Sequence, residues 1–155
     1  MLTRLLIASA AVSIATASLL ARAPVPQHKP WQPGLGEYMV GIQRHHAALF
    51  FAGKAGNWEL ASFELKELEE GFGDAQEFQP LHEKVDVKSL LESILPPVMK
   101  PLHESIEKGD KQLFSRGFEA LTSACNGCHQ AANVPFLDIV DPTAEPTVNQ
   151  RYEKR

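Results

Sequence analysis

The residues best suited to carry chemistry are residues 125–129, which read Cys-Asn-Gly-Cys-His. Cys-x-x-Cys-His is the pattern by which a c-type haem is attached to a polypeptide. Each cysteine sulfur bonds one haem vinyl group, and the adjacent histidine is placed to ligate the iron. On a helix, positions i, i+3 and i+4 share one face, so all three side chains can reach one flat macrocycle.

Three other interpretations of the cysteine pair exist: a local disulfide, a thioredoxin-like redox pair and half of a zinc site. The chain has only two cysteines, so a zinc site would lack ligands. No βαβ pattern surrounds the pair, which disfavours the redox dithiol. The sequence therefore favours one covalent haem c, attached to Cys125 and Cys128, with His129 as the proximal iron ligand.

Residues 1–23 have the pattern of a secretory signal peptide. Arg4 precedes an apolar stretch at residues 5–20, and Ala21-Arg22-Ala23 follows as the small-residue site. The stretch is short and rich in alanine, so we expect no permanent membrane insertion after cleavage, with an uncleaved anchor as the alternative.

The cleavage position is left open by the sequence. Pro24 would follow a cut after Ala23, which is unfavourable, so processing nearer Ser18 or Ala21 is the alternative. Bacteria attach haem c outside the cytoplasm, so the export signal and the haem motif independently predict a periplasmic protein.

Charge and length limit the partners and the architecture. The mature chain of about 130 residues is enough for one domain with a single core. The formal charge is −4, and loss of Arg4 and Arg22 with the signal would make it −6. This argues against a nucleic-acid partner, which needs a basic face, and permits a basic redox partner protein that the sequence does not identify.

The pattern of apolar residues divides the rest of the chain into three parts. Residues 24–34 are a proline-rich linker, residues 35–133 form a helical haem-binding domain, and residues 134–155 are an irregular tail. Four helical segments are predicted, and prolines interrupt the third at residues 87–108, which predicts a kink or two shorter pieces. Their apolar seams include Leu35, Met39, Ile42, His46, Leu49 and Gly53; Ala61, Leu65, Leu68 and Phe72; and Phe114, Gly117, Leu121, Ala124 and Cys128.

The ends of the second and fourth helices are also predicted. Asn57 and Asp110 are expected N-caps. Gly71 and Gly73 are expected to weaken the end of the second helix, and the acidic side chains along it, Glu64 among them, are expected to be solvated.

Four helices with short connections predict an all-α, antiparallel up-down-up-down bundle that binds one haem. In that topology the first and fourth helices are antiparallel neighbours. Met39, early in the first helix, would then lie near the iron, opposite His129.

A haem motif on the last of four helices resembles the cytochrome c prime family, and most closely its low-spin, methionine-ligated members. The resemblance covers residues 35–133. It implies a four-helix bundle, haem attachment at Cys125 and Cys128, ligation by His129, and frequent homodimers. In the methionine-ligated members the sixth ligand lies in a stretch that Tyr38-Met39-Val40 resembles.

The chain departs from the family in two ways. It lacks the basic residue that often follows the motif, and its longer tail is expected to cover the haem edge or a neighbouring subunit.

The sixth iron ligand has three candidates. Met39 is the first, because thioether sulfur suits haem iron. His46 lies two turns later on nearly the same face and is the second. An iron left open is the third. His45 points elsewhere and is expected at the surface or on a haem propionate.

The expected function is one-electron transfer by an exported monohaem cytochrome, without enzymatic activity. A gas-binding or gas-sensing protein with an open sixth position is the alternative. A peroxidase-like activity would need acid–base groups beside an open iron, for which His46 and Arg44 are a thin basis.

Overall fold

A computed structural model describes residues 31–154 of the 155-residue chain. The predicted signal peptide and residues 24–30 of the linker lie outside the described residues. The described part is mainly helical, with five helices and a small two-stranded sheet: α1 Leu35–Ala55, α2 Trp58–Phe78, β1 Leu81–His82, β2 Val85–Asp86, α3 Val87–Ile94, α4 Pro96–Lys108 and α5 Lys111–Ala131. No helix in residues 31–154 has the length and apolar character needed to cross a membrane.

Helix α1 follows the predicted seam. Ile42, His46, Leu49 and Gly53 are buried, and Met39 is half-buried against the core. The helix ends at Gly56, whose φ of 74° is left-handed and whose N–H bonds back to the last turn. Glycine adopts this conformation without steric penalty, which explains the stop.

Helix α2 runs past the glycines that were expected to weaken its end. Asn57 caps it as predicted, accepting a hydrogen bond from the Leu60 N–H. A Cβ at Gly71 would lie 2.9 Å from Cγ1 of Ile42. Gly71 therefore allows close packing of α1 on α2 rather than marking a helix end.

The third predicted segment forms two separate helices, the second of the two outcomes expected. Leu95 lies between α3 and α4, and Pro96 occupies the first position of α4. Proline fits there because the first helical N–H needs no partner within the helix. Pro101 lies inside α4 without ending it.

A short hairpin that the sequence pattern did not indicate joins α2 to α3. Leu81 pairs with Asp86 and His82 with Val85, in antiparallel register. Strands of two residues are too short to show an alternating apolar pattern.

Helix α5 is capped by Asp110, as predicted. The Asp110 carboxylate accepts hydrogen bonds from the N–H groups of Gln112 and Leu113. The helices α1 and α2 pack on each other extensively, as do α4 and α5. The core between the elements consists of buried apolar side chains: Ile42, Ala48, Leu49, Ala52, Ala61, Leu65, Leu68, Phe72, Ala75, Val87, Leu91, Met99, Leu102, Ile106, Phe114, Phe118, Leu121 and Tyr152.

The tail after α5 is irregular, as predicted, but it is held against the helices. Tyr152 is 1% exposed and packs its ring on Phe51 of α1. The Asn57 side-chain amide donates a hydrogen bond to the Tyr152 carbonyl. The cap of α2 thus also fixes the end of the tail.

Candidate functional site

The Cys-x-x-Cys-His residues occupy the last two turns of α5. Cys125 and Cys128 are half-buried, pack against the apolar core and are free thiols. They lie one turn apart on one helix face, with His129 next to the second. Local helix geometry thus brings the three predicted attachment residues together.

The two thiols are in a medium that disfavours charge. Burial raises the pKa of Cys125 to about 11, with a smaller contribution from Cys128, and burial also raises the pKa of Cys128. Both are therefore protonated at neutral pH. Redox-active cysteine pairs instead have a thiolate of lowered pKa, so this environment does not suit a thioredoxin-like pair.

The imidazole of His129 is fixed by the tail. Its Nδ1 lies 2.6 Å from the backbone carbonyl oxygen of Leu137, so Nδ1–H donates this hydrogen bond. The other nitrogen, Nε2, is then the unprotonated one in the neutral ring. Metal-ligating histidines commonly donate their second ring N–H to a carbonyl in this way. The tautomer of His129 therefore fits a proximal haem ligand that binds iron through Nε2.

Asn126, between the two cysteines, also binds the tail. Its Oδ1 accepts from the Ile139 N–H and its Nδ2 donates to the Ile139 carbonyl, both at 2.8 Å. No role was expected for Asn126 from the sequence. Its spacing of three residues from His129 was the available signal, since it puts both side chains on one face of α5.

His46, the alternative sixth ligand, is buried between α1 and α5. Its Nε2 lies 2.9 Å from Oγ1 of Thr122, and that hydroxyl donates to the Phe118 carbonyl. The hydroxyl proton is thus already used, so Nε2–H of His46 is the donor to Oγ1. Burial lowers the pKa of His46 to about 4, a shift that nearby Asp141 only partly offsets. His46 is neutral at pH 7, and its Nε2 carries the ring proton. That nitrogen therefore has no free lone pair with which to bind iron.

The contacts between α1 and α5 pair earlier residues of α1 with later residues of α5. Gly53 touches Phe114, the rings of Phe50 and Phe118 lie 5.1 Å apart, and His46 reaches Thr122. Met39 lies two further turns back along α1 and packs, half-buried, on the same core as both cysteines.

Two expectations about polar residues were wrong. Glu64 is only 3% exposed, not solvated. Its carboxylate accepts hydrogen bonds from Nδ1 of His45 at 2.8 Å and from the Gln150 amide at 3.2 Å. His45 is half-buried, with 14% of its side chain exposed, so the surface position expected for it is wrong, whereas the alternative contact with a haem propionate stays a prediction. Glu64 follows Ala61 by three residues and precedes Leu68 by four, so its place on the apolar face was visible in the spacing.

The surroundings hold no ready-made site for a free ion. Within residues 31–154, no three histidine, cysteine, aspartate or glutamate side chains gather as a metal-binding set. A haem needs fewer protein ligands, because its macrocycle supplies four nitrogens. Two surface cavities, of about 470 and 270 Å³, are lined by other residues than the motif: Gly73, Gln76, Glu77, Pro80 and Lys88 in one, and Phe51, Lys54, Ala55, Glu145, Tyr152 and Glu153 in the other.

Comparison with protein-family models, with curated proteins and with solved structures finds no match to this chain.

Proposed function

We propose that this protein is an exported c-type cytochrome that carries one haem c on Cys125, Cys128 and His129 and transfers single electrons. When bound, the haem supplies an iron that alternates between Fe(II) and Fe(III). The observation that carries the proposal is the His129 ring, whose Nδ1–H is bound by the Leu137 carbonyl and whose Nε2 is left as a ligand. It stands next to two neutral, half-buried thiols on the same helix.

The helices are proposed to form an antiparallel four-helix bundle in which α3 and α4 together are the third member. This arrangement is supported by the pairing of earlier α1 residues with later α5 residues, which is the order expected for antiparallel helices. The step from the Gly53–Phe114 pair to the His46–Thr122 pair is about two turns on each helix. Another two turns of the same register would bring Met39 level with His129.

Met39 is the proposed sixth ligand. Its thioether makes no hydrogen bond within residues 31–154 that ligation would break, and soft sulfur suits haem iron. His46 would have to give up the hydrogen bond to Thr122 and change tautomer before its Nε2 could bind iron. This cost disfavours the histidine relative to Met39.

The test is expression of the full chain in a bacterium that has the haem-attachment machinery. The periplasmic fraction should contain the protein, and haem should stay with the polypeptide through acid–acetone extraction and denaturing electrophoresis. A Cys125→Ser, Cys128→Ser double variant should lose this attachment. Zinc or a disulfide at the wild-type cysteines would overturn the proposal.

Electron transfer is tested on the same purified protein. A reversible one-electron couple, with a ferrous form slow to bind carbon monoxide, is the expected result. Rapid carbon monoxide binding by the wild-type ferrous protein would replace electron transfer by the alternative, a gas-binding function with an open sixth position.

A further inference from the structure

The chain turns back on itself directly after the helix that bears the motif. Asn133 adopts a left-handed conformation, with φ of 61°, which asparagine tolerates better than most residues. The Val134 N–H then bonds to the His129 carbonyl at 2.9 Å. Residues 134–141, which we name the return segment, are thereby directed along the end of α5 instead of away from it.

Two side chains of α5 hold the return segment. His129 donates to the carbonyl of Leu137, and Asn126 both donates to and accepts from the backbone of Ile139. Further along, the negative charge of Asp141 partly offsets the lowered pKa of His46 on α1. The segment thus reaches from the candidate proximal histidine towards α1.

We infer that the return segment is part of the haem site: the Leu137 carbonyl is a positioning group for His129, and Asn126 holds that carbonyl in place by its paired hydrogen bonds to Ile139. The inference rests on the proposed function, since it assigns a role toward a haem on this motif.

The chemistry of Asn126 makes it suited to this task. A carboxamide can donate and accept at once, so it pairs with the N–H and C=O of one residue as a neighbouring strand would. An aspartate could only accept, and an alanine could do neither. Haem attachment itself places no demand on the residue after the first cysteine, so this position is free to bind the tail.

Fixing the His129 ring has a consequence at the iron. A hydrogen bond accepted from Nδ1–H makes the ring a stronger electron donor through Nε2, which favours the ferric state. His129 lies in the last turn of α5, and the Leu137 carbonyl accepts the hydrogen bond from its Nδ1–H. Loss of the hydrogen bond from His129 to the Leu137 carbonyl should therefore raise the midpoint potential of the haem iron.

The experiment compares two variants that release the return segment with two matched controls, all as covalently haem-loaded full chains. Asn126→Ala removes both hydrogen bonds to Ile139. Ile139→Pro removes the backbone N–H from which Asn126 Oδ1 accepts a hydrogen bond, and it does not change the haem motif. Ile139→Ala keeps that N–H, and Gln130→Ala removes an exposed amide from the same turn of α5.

Midpoint potential and NMR exchange of the His129 Nδ1–H are measured for each protein. Both release variants should show a higher midpoint potential and about tenfold faster exchange, as expected for the loss of one to two part-buried hydrogen bonds. Both controls should match wild type. Helical content by circular dichroism should be equal in all, because Ile139 lies outside α1–α5 and alanine at positions 126 and 130 favours the helix.

The failures can be told apart. If haem is covalently bound but Ile139→Pro leaves both potential and exchange at wild-type values, the inference is wrong and the proposed function stands. If the wild-type chain carries no covalent haem, the proposed function fails and the inference fails with it. If a release variant and its control change equally in midpoint potential and exchange rate, the positioning role of the Leu137 carbonyl is also wrong.

Discussion

His46 of α1 and Thr122 of α5 are joined by a hydrogen bond of 2.9 Å between Nε2 and Oγ1. Thr122 precedes the first motif cysteine by one helical turn, so this hydrogen bond links α1 to α5 just before the Cys-x-x-Cys-His motif. The ring of His46 also packs on Phe118, at 4.4 Å between centroids. A polar bond inside an apolar contact of this kind fixes the register of two helices.

The first prediction concerns pH. Burial lowers the pKa of His46 from 6.5 to about 4, so the unfolded chain binds a proton there between pH 6.5 and 4 while the folded chain does not. This contribution to stability is complete above pH 6.5 and is lost as the pH falls to about 4. The loss should be on the order of 3 kcal/mol, measured by urea unfolding across that range.

His46→Gln is the control for this pH effect. Glutamine can still donate an N–H to Thr122 but does not titrate. The wild-type stability should fall more steeply than that of the variant between pH 6.5 and 4, and parallel curves would contradict the assignment.

The second prediction concerns the sixth iron ligand. Wild-type protein should be low-spin in both oxidation states, with a sulfur-to-iron charge-transfer band when oxidised. Met39→Ala should lose the band, become largely high-spin and bind carbon monoxide readily. His46→Gln should leave the spectrum nearly unchanged. The reverse behaviour would make His46 the ligand, and no change in either variant would indicate an open iron.

The third prediction concerns the buried carboxylate of Glu64. Glu64→Gln keeps the volume but loses the charge-assisted bond to His45, so stability should fall by about 1.5–3 kcal/mol. Glu70→Gln removes an exposed partner of Lys66 on the same helix and should cost less than about 1 kcal/mol. Equal losses in chemical denaturation would show that Glu64 is solvated after all.

The fourth prediction concerns the docking of the tail. Tyr152→Ala should cost about 3–5 kcal/mol, because it empties a fully buried aromatic site against Phe51. Tyr152→Phe, which loses only the hydroxyl contact with Thr147, should cost about 1 kcal/mol. Val148→Ala, at a fully exposed tail position, should be neutral in the same thermal unfolding assay. If Tyr152→Ala left the unfolding temperature unchanged, the tail would not be packed against α1.

The fifth prediction concerns the contact of α1 with α5. A Cβ at Gly53 would collide with the ring of Phe114, so Gly53→Ala should destabilise the fold by about 1–3 kcal/mol. Gly41→Ala, in the same helix with open space around it, should instead stabilise by about 0.5–1 kcal/mol. Equal effects of the two replacements on the unfolding midpoint would argue against close approach of the helices at Gly53.

Some features were predictable because their cause is local. The seams of α1, α2 and α5 follow from helical periodicity, and Asn57 and Asp110 cap because a short polar side chain reaches the free N–H groups of the next turn. The break at Leu95 follows from the proline after it. The grouping of Cys125, Cys128 and His129 needs only one helix, so their spacing was sufficient.

Other features depended on neighbours distant in sequence. Gly71 looked like a helix end, but its role comes from Ile42 of another helix. Glu64 looked solvated because a run of acidic residues surrounds it, yet its partners His45 and Gln150 lie 19 and 86 residues away. Composition cannot distinguish a paired buried carboxylate from an exposed one.

The sequence by itself determined the long helical segments, the caps at Asn57 and Asp110 and the grouping of the Cys-x-x-Cys-His residues on one helix face, because each depends on residues within one or two turns. Only the tertiary structure decided that the tail returns to His129, that Asn126 binds Ile139 and that His46 bonds to Thr122. The first two contacts join α5 to a tail that has no periodic pattern, and the third joins residues 76 positions apart in the chain. Their partners are backbone groups and single side chains, which become defined only when packing has brought the segments together.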